Sequence, residues 1–145
     1  VNGVDINIYN DTLKALSQVT ISGHLEDNQG QPMSSFDGFV YPTIYDKESQ
    51  LSTLGNSSNS FPADYEMWQN VVYKGKASVI NGQFSFTFIV PQDISYDIGA
   101  SKISFYATDD INTDANGENS TVKIGGINTN ATADTEGPTV LMYLN

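Results

Sequence analysis

The chain has 145 residues, the length of a single globular domain that can bury a sizeable core. It carries 17 acidic residues against six Lys and no Arg, so its net charge of -11 excludes a basic surface for nucleic acid. The absence of Cys and the presence of a single His, His24, exclude disulfides, thiolate metal sites, a Cys nucleophile and any site that needs two imidazoles.

Asn, Ser and Thr supply most of the polarity, because only 16% of the residues are charged. These side chains are typical of turns and of the solvated faces of strands. No run approaches the ~20 apolar residues that a membrane-spanning helix needs. We therefore expect a β-rich chain that does not span a membrane and has no nucleic-acid partner.

Short strands are predicted in the first half of the chain. Residues 19–22 alternate apolar and polar side chains, the pattern of a strand with one buried face. Residues 39–45 are β-branched and aromatic, but Pro42 cannot donate a hydrogen bond to a neighbouring strand. We therefore expect that strand to lie at a sheet edge or to be bulged at Pro42. Residues 51–63 are rich in Ser and Asn, which predicts a long loop.

The clearest predicted element is a hairpin within residues 71–90. Two β-rich segments flank Asn81-Gly82, a dipeptide that tolerates positive φ and therefore favours a two-residue type I′ turn. In the second arm, aromatic rings alternate with polar residues, so they are expected to share one face and to anchor the core. These rings belong to Phe84, Phe86 and Phe88.

Residues 103–107 repeat the alternating pattern, residues 109–119 are rich in turn formers, and residues 120–124 predict a further short strand. Several short strands, with no long helical period, predict an all-β fold. We expect an antiparallel two-sheet, immunoglobulin-like β-sandwich of about seven strands.

Three segments divide the chain in this interpretation. Residues 1–13 are expected to be a linker from a preceding domain, and residues 14–127 the β-sandwich itself. Gly137-Pro138 then interrupts the chain before a strand-like run over residues 139–145. Residues 128–145 are therefore expected to be a linker and the start of a following β domain.

The most specific local cluster for a metal lies in residues 109–119. The oxygen-bearing side chains of Asp110, Asn112 and Asp114 alternate as they do at the start of a calcium loop. The pattern then departs from that loop, because Ala115 stands where glycine is needed and Thr121 where a bidentate Glu is needed. Both interpretations stay open here: a calcium site, or a polar loop whose side chains cap its own backbone. No other cofactor is expected.

Aromatic residues offer a second candidate surface. Trp68 and Tyr65, close in sequence, are residue types that stack on sugars or peptides, and they are equally typical of a sandwich core. His24 follows a predicted strand, but no nucleophile is identifiable for it, so no catalytic residue is assigned.

Longer strings resemble a known family in order along most of the chain. They include Val40-Tyr-Pro-Thr-Ile-Tyr-Asp-Lys47 and Lys102-Ile-Ser-Phe-Tyr-Ala107. The full set covers residues 11–24, 40–47, 73–91, 93–96, 102–107, 124–126 and 136–138. On these segments the chain resembles the PorU-type sortases of the type IX secretion system, which are gingipain-like cysteine peptidases of Bacteroidetes.

The resemblance implies a β-sandwich region that follows the peptidase domain, with the catalytic Cys and His of the family upstream of it. No residue here inherits those roles, so the fragment itself is not expected to be an enzyme. The resemblance further implies a parent that removes C-terminal secretion signals at the outer membrane and attaches cargo to a surface lipopolysaccharide. We therefore expect an exported, outer membrane-associated accessory domain at the cell surface.

Such a domain is expected to act as a spacer or docking module. Its expected partners are the neighbouring domains of the same chain, and secretion-system components or cargo proteins. The alternative is a carbohydrate-, peptide- or calcium-binding module of a surface protein.

Overall fold

The computed structural model describes residues 1–6 and 9–131, and within them the secondary structure consists of strands and no helix. The strands are β1 (Thr12–Ala15), β2 (Gln18–His24), β3 (Gly38–Tyr45), β4 (Ser49–Ser52), β5 (Asp64–Met67), β6 (Val71–Lys74), β7 (Ala77–Ile80), β8 (Gln83–Ile89), β9 (Gly99–Ala100), β10 (Lys102–Thr108), β11 (Asp114–Asn119) and β12 (Lys123–Ile127).

The largest sheet contains seven strands in the order β11-β10-β3-β7-β8-β2, with β6 also paired to β3. Every pairing in this sheet is antiparallel. The sheet curls into a half-barrel, so that its two edge strands, β2 and β11, line the same cleft. This curvature positions the candidate site described below.

A three-stranded sheet, β1-β12-β9, packs against one part of the half-barrel. Leu13 of β1 and Ile124 of β12 are buried in the same apolar core as Ile44, Ile103 and Phe88 of the large sheet. β4 and β5 form a separate two-stranded hairpin. The predicted all-β sandwich is therefore confirmed.

The structure has more strands than the sequence pattern predicted, and one strand pairing differs from the predicted antiparallel type. The described residues form twelve strands instead of about seven, because several strands have only two to four residues and show no clear alternation. β1 pairs with β12 in parallel, so the pairing is not antiparallel throughout.

The predicted domain boundaries stay a prediction. Within the segment expected to be a linker, residues 1–13, Val1 and Leu13 are both buried in the core. Of residues 128–145, those from 132 onward lie outside the described residues, and so does the predicted strand over residues 139–145.

The predicted hairpin is confirmed as β7 and β8. Asn81 and Gly82 have φ angles of 52° and 73°, and Ile80 pairs with Gln83 across a two-residue turn. Phe86 and Phe88 are buried and Phe84 is partly buried, as their alternation predicted. Tyr73 stacks on Phe86 and Phe88, with ring centroids 5.6 Å and 4.6 Å away.

Two local predictions need correction. Of the two alternatives for β3, the edge position is wrong, because β10 pairs on one side of the strand and β6 and β7 pair on the other. The Pro42 carbonyl accepts a hydrogen bond from Gly75 N–H at 3.1 Å, so the backbone groups of Pro42 face the side on which β6 and β7 pair. The nitrogen of Pro42, which has no hydrogen to donate, therefore lies at the break between β6 and β7.

The segment predicted to be rich in turns is a turn only over residues 109–113, because β11 follows it and pairs with β10.

Candidate functional site

A cleft with a volume of about 830 Å³ lies between β2 and β11. Its floor is apolar. Leu25, Val40 and Ala107 are buried there, and the rings of Phe84 and Phe105 are partly buried against them. The floor is therefore a continuation of the sandwich interior that opens towards solvent between the two edge strands.

Gly23 of β2 lets an aromatic ring form one side of this floor. A Cβ atom at Gly23 would lie 2.5 Å from Cζ of Phe84, the residue paired with it across the sheet. Only a residue without a side chain leaves the ring this position. The Phe84 and Phe105 ring centroids are 5.6 Å apart, so the two rings together form the aromatic part of the floor.

The wall formed by β2 has backbone groups that face away from the sheet. Val90 N–H donates to Ser17 O at 3.0 Å, so the backbone N–H and C=O groups of odd-numbered residues of β2 face β8 and those of even-numbered residues face outwards. Asn2 pairs with Thr20 through Asn2 N–H to Thr20 O at 2.7 Å and Thr20 N–H to Asn2 Oδ1 at 2.8 Å. Ser22 and His24 follow on the same edge, and no described residue pairs with their outward backbone groups.

The opposite wall is β11, and no described residue interrupts its outer edge. Asp109 N–H donates to Thr113 O at 3.1 Å, and the register that continues from this bond turns the backbone groups of odd-numbered residues of β11 towards β10. The backbone groups of Asp114, Asn116 and Glu118 therefore face away from β10. Within residues 1–6 and 9–131, no backbone group bonds to this edge.

The titratable side chains that line the cleft are acidic apart from His24. Asp5, Glu26, Asp27 and Glu118 all line it, and no Lys does. His24 Nε2 and Glu26 Oε1 are 2.8 Å apart, and Lys102 Nζ contacts Glu118 Oε2 at 2.8 Å from outside the cleft. We call these four acidic residues, with His24, the cleft rim.

The predicted calcium ligands surround a turn that Asp109 organises. Asp109 Oδ1 accepts hydrogen bonds from the backbone N–H groups of Ile111, Asn112 and Thr113, each at 2.9 Å. The bonds from Thr113, Ile111 and Asn112 lower the pKa of Asp109 to about 2. This carboxylate, which the sequence analysis did not select, therefore caps the loop.

The three selected residues lie on or beside that turn. Asp110 adopts a φ of 58°, and Asp114 begins β11. A hydrogen bond from Tyr106 to Asp114 raises the pKa of Tyr106. In the part of the chain that the structure describes, no three His, Cys, Asp or Glu side chains converge as metal ligands. The calcium hypothesis for Asp110, Asn112 and Asp114 stays a prediction.

The two residues predicted to form an aromatic surface differ in exposure: the ring of Tyr65 is exposed and that of Trp68 is half-buried. Tyr65 lies on β5 and is 46% exposed, while Trp68 follows that strand and is half-buried. The Trp68 ring lies 4.9 Å from Lys102 Nζ, and its Nε1 is buried without a hydrogen-bond partner among the described residues. Binding of a sugar or peptide by these two residues stays a prediction.

Sequence reasoning missed the cleft because its walls carry weak signals. β11 reads Asp-Ala-Asn-Gly-Glu-Asn, which contains no β-branched or aromatic residue. Curling of the sheet, which brings β2 and β11 to one cleft, depends on pairings far apart in sequence. The residue that carried a usable signal was Gly23, an isolated glycine inside a strand pattern, which indicates close approach of a neighbouring group.

Comparison with known proteins shows similarity to a solved structure. No family model matches the chain, and no curated protein matches it. Among solved structures, the chain is similar to dimeric latent PorU from Porphyromonas gingivalis, with a TM-score of 0.71 and 29% sequence identity. The similarity covers 92% of this chain and 13% of the PorU chain. It confirms the resemblance found in the sequence and supports a PorU-related domain.

The described residues contain no helix whose length and hydropathy would let it cross a membrane.

Proposed function

We propose that this chain is a non-catalytic accessory domain of a PorU-like C-terminal signal peptidase, the sortase of the type IX secretion system, and that it serves as a spacer or docking module. The observation that supports this most is the extent of the similarity. Nearly the whole chain, 92%, corresponds to only 13% of the PorU chain. A piece of that size fits a region separate from a peptidase domain.

The chemistry of the chain supports a non-catalytic role. It has no Cys, so it has no residue that can act as the nucleophile of a cysteine peptidase. Its one imidazole, His24, contacts Glu26, and its cleft is lined by apolar and acidic groups. Proteolysis would then be the task of another region of the parent protein.

The packing supports a stiff body. Two sheets share a core in which Ile44, Ile103 and Ile124 are fully buried, so the sandwich resists bending and can hold its neighbours at a set distance. Neighbouring domains of the same chain are the proposed partners, with secretion-system components or cargo as further ones. The proposed location is the cell surface, on an exported and outer membrane-associated protein.

Two measurements on the purified 145-residue chain test this function. The chain is incubated with cargo that carries a C-terminal secretion signal, and it is titrated calorimetrically with the remainder of a PorU-like parent from which this region has been deleted. We expect no cleavage by the chain alone and saturable binding to the remainder. Cleavage by the chain, or no binding to any part of the parent, would overturn the proposal.

A further inference from the structure

We propose that the cleft between β2 and β11 binds an extended peptide strand that carries basic residues at its ends, and that this strand pairs with the outer edge of β11. The inference rests on the docking role proposed above and gives its partner a chemical class. Three observations carry it: a strand edge with which no described residue pairs, an apolar floor beside that edge, and an acidic cleft rim.

β11 is the pairing edge because its open stretch is uninterrupted among the described residues, whereas that of β2 is interrupted at Thr20. The backbone groups of Asp114, Asn116 and Glu118 face outwards along six residues of strand. On β2, the pairing of Asn2 with Thr20 separates Gln18 from Ser22 and His24, so the described residues leave no more than two successive outward-facing residues of β2 unpaired. An unpaired edge of this kind is a template for a further strand, and main-chain hydrogen bonds supply much of the affinity.

The direction of the added strand follows from the sheet order. Five successive antiparallel pairings separate β11 from β2, so the two edge strands run in opposite directions. A peptide antiparallel to β11 would run parallel to β2. We expect the antiparallel pairing with β11, since it is the more stable of the two types.

The floor beside β11 can accept alternate side chains of such a peptide. Phe105 and Ala115 line the cleft beside β11, and Phe84 lies next to Phe105 on the side of β2. Gly117 leaves open space, because a Cβ atom there would meet no other atom within 4 Å. Side chains of a β-strand alternate between its faces. Every second residue of the peptide should therefore be apolar and point to the floor.

The acidic side chains of the cleft rim favour positive charge at the ends of the peptide. Asp5, Glu26, Asp27 and Glu118 line the cleft, no Lys lines it, and the whole chain carries a net charge of -11. Lys102 Nζ pairs with Glu118 Oε2 at 2.8 Å. Opposite charge on the partner accelerates association and disfavours acidic competitors. The occupant is therefore a basic peptide rather than an acidic one.

Two synthetic peptides test the proposal on the full 145-residue chain by NMR titration. One has the sequence Lys-Lys-Val-Thr-Val-Thr-Val-Lys-Lys, and in the other every Lys is replaced by Glu. We expect the Lys peptide to bind saturably with a Kd below about 1 mM, at least about tenfold tighter than the Glu peptide. The amide shifts should concentrate on residues 114–118, and affinity should fall with added salt.

Two substitutions and a control assign the binding to β11. N116P removes an outward N–H group that β10 does not use, and G117L fills the open space above the floor. Each should weaken binding at least about tenfold while circular dichroism and the unfolding temperature stay near those of the parent chain. S22P, which removes an outward N–H group of β2, is the matched control and should change Kd less than about threefold.

Four results would overturn the inference: no saturable binding, equal binding of the two peptides, shifts located on another surface, or unchanged affinity in folded N116P and G117L. Self-association of the chain that N116P abolishes would also contradict it, because a second copy would then occupy the cleft. If the peptides fail but the remainder of the parent still binds the chain, the accessory function stands and only the cleft is wrong.

Discussion

A buried carboxylate joins the end of β3 to the segment before β9. Asp46 Oδ1 accepts hydrogen bonds from Lys47 N–H at 2.8 Å and Lys47 Nζ at 2.7 Å, and Oδ2 accepts one from Ser95 N–H at 3.1 Å. Lys47 Nζ also donates to Ser95 O at 2.9 Å. Burial raises the pKa of Asp46, but the hydrogen bonds from Lys47 and Ser95 outweigh it, so the pKa lies below 3.8.

Replacing this carboxylate is expected to destabilise the fold. D46N removes the negative charge that partners the largely buried Lys47 ammonium, and we expect a loss of about 2 kcal/mol in the free energy of unfolding. Denaturant unfolding at pH 7 measures it. E66Q, on the exposed strand β5, makes the same change in charge and should cost less than about 0.5 kcal/mol. Equal effects of the two substitutions would contradict the role of Asp46.

The pH dependence of that effect follows from the sign of the pKa shift. Because the pKa of Asp46 is lower in the folded chain, its contribution is fully present above the usual value of 3.8 and is lost as pH falls through the folded pKa. The stability difference between the parent chain and D46N should therefore be constant between about pH 7 and pH 5 and shrink below pH 3.8. A difference that grows on acidification would be inconsistent with this.

Asp109 should titrate at unusually low pH. Its carboxylate accepts three backbone N–H bonds, which hold its pKa at about 2. Carboxyl carbon shifts followed by NMR should show this midpoint, and the amides of residues 111–113 should shift with it. D109N should abolish both titrations. A midpoint at the usual 3.8 would show that the carboxylate does not cap the loop.

At the scale of elements, the β7–β8 turn depends on glycine. Gly82 has a φ of 73°, and a Cβ atom there would lie 2.4 Å from the Met33 carbonyl oxygen. G82A should therefore cost at least about 1–2 kcal/mol of stability, because it adds left-handed strain and displaces the Met33 backbone. G117A is the matched control in open space and should change stability by less than about 0.5 kcal/mol. Thermal or denaturant unfolding of both variants decides the comparison.

The β4–β5 hairpin is expected to be the least stable pair of strands. It belongs to neither larger sheet, and β5 is exposed along its whole length. An isolated two-stranded hairpin is marginally stable in water, whereas β7 and β8 carry the buried core. Hydrogen exchange should therefore be faster in β4 and β5 than in β7 and β8. Equal protection of the two hairpins would contradict this interpretation.

The success of sequence reasoning also varied by element. The β7–β8 hairpin was predictable because Asn81-Gly82 and the Phe84, Phe86 and Phe88 alternation are local signals. β11 was not, because its side chains do not alternate and its strand state comes from pairing with β10. The central position of β3 was hidden by Pro42, whose missing donor faces a break that only the tertiary structure creates.

At the scale of the whole molecule, the all-β fold class could be predicted from the composition and from the alternation of apolar and polar residues. The cleft could not be predicted from either. A curl that brings β2 and β11 to one cleft arises from the order of six successive strands, which no single segment encodes. The parallel pairing of β1 with β12 likewise joins residues more than 100 positions apart, such as Thr12 and Lys123. Site residues selected from short motifs, such as Asp110, therefore differ from the residues that line the cleft.

The central claim is that this domain serves a PorU-like sortase without taking part in its chemistry. The most direct test deletes the region from such a parent and compares turnover of a short peptide substrate with processing of full-length, signal-bearing cargo. We predict that short-substrate turnover stays within about twofold and that cargo processing falls at least about tenfold. A folded deletion variant that loses short-substrate turnover, or that processes cargo normally, would contradict the claim.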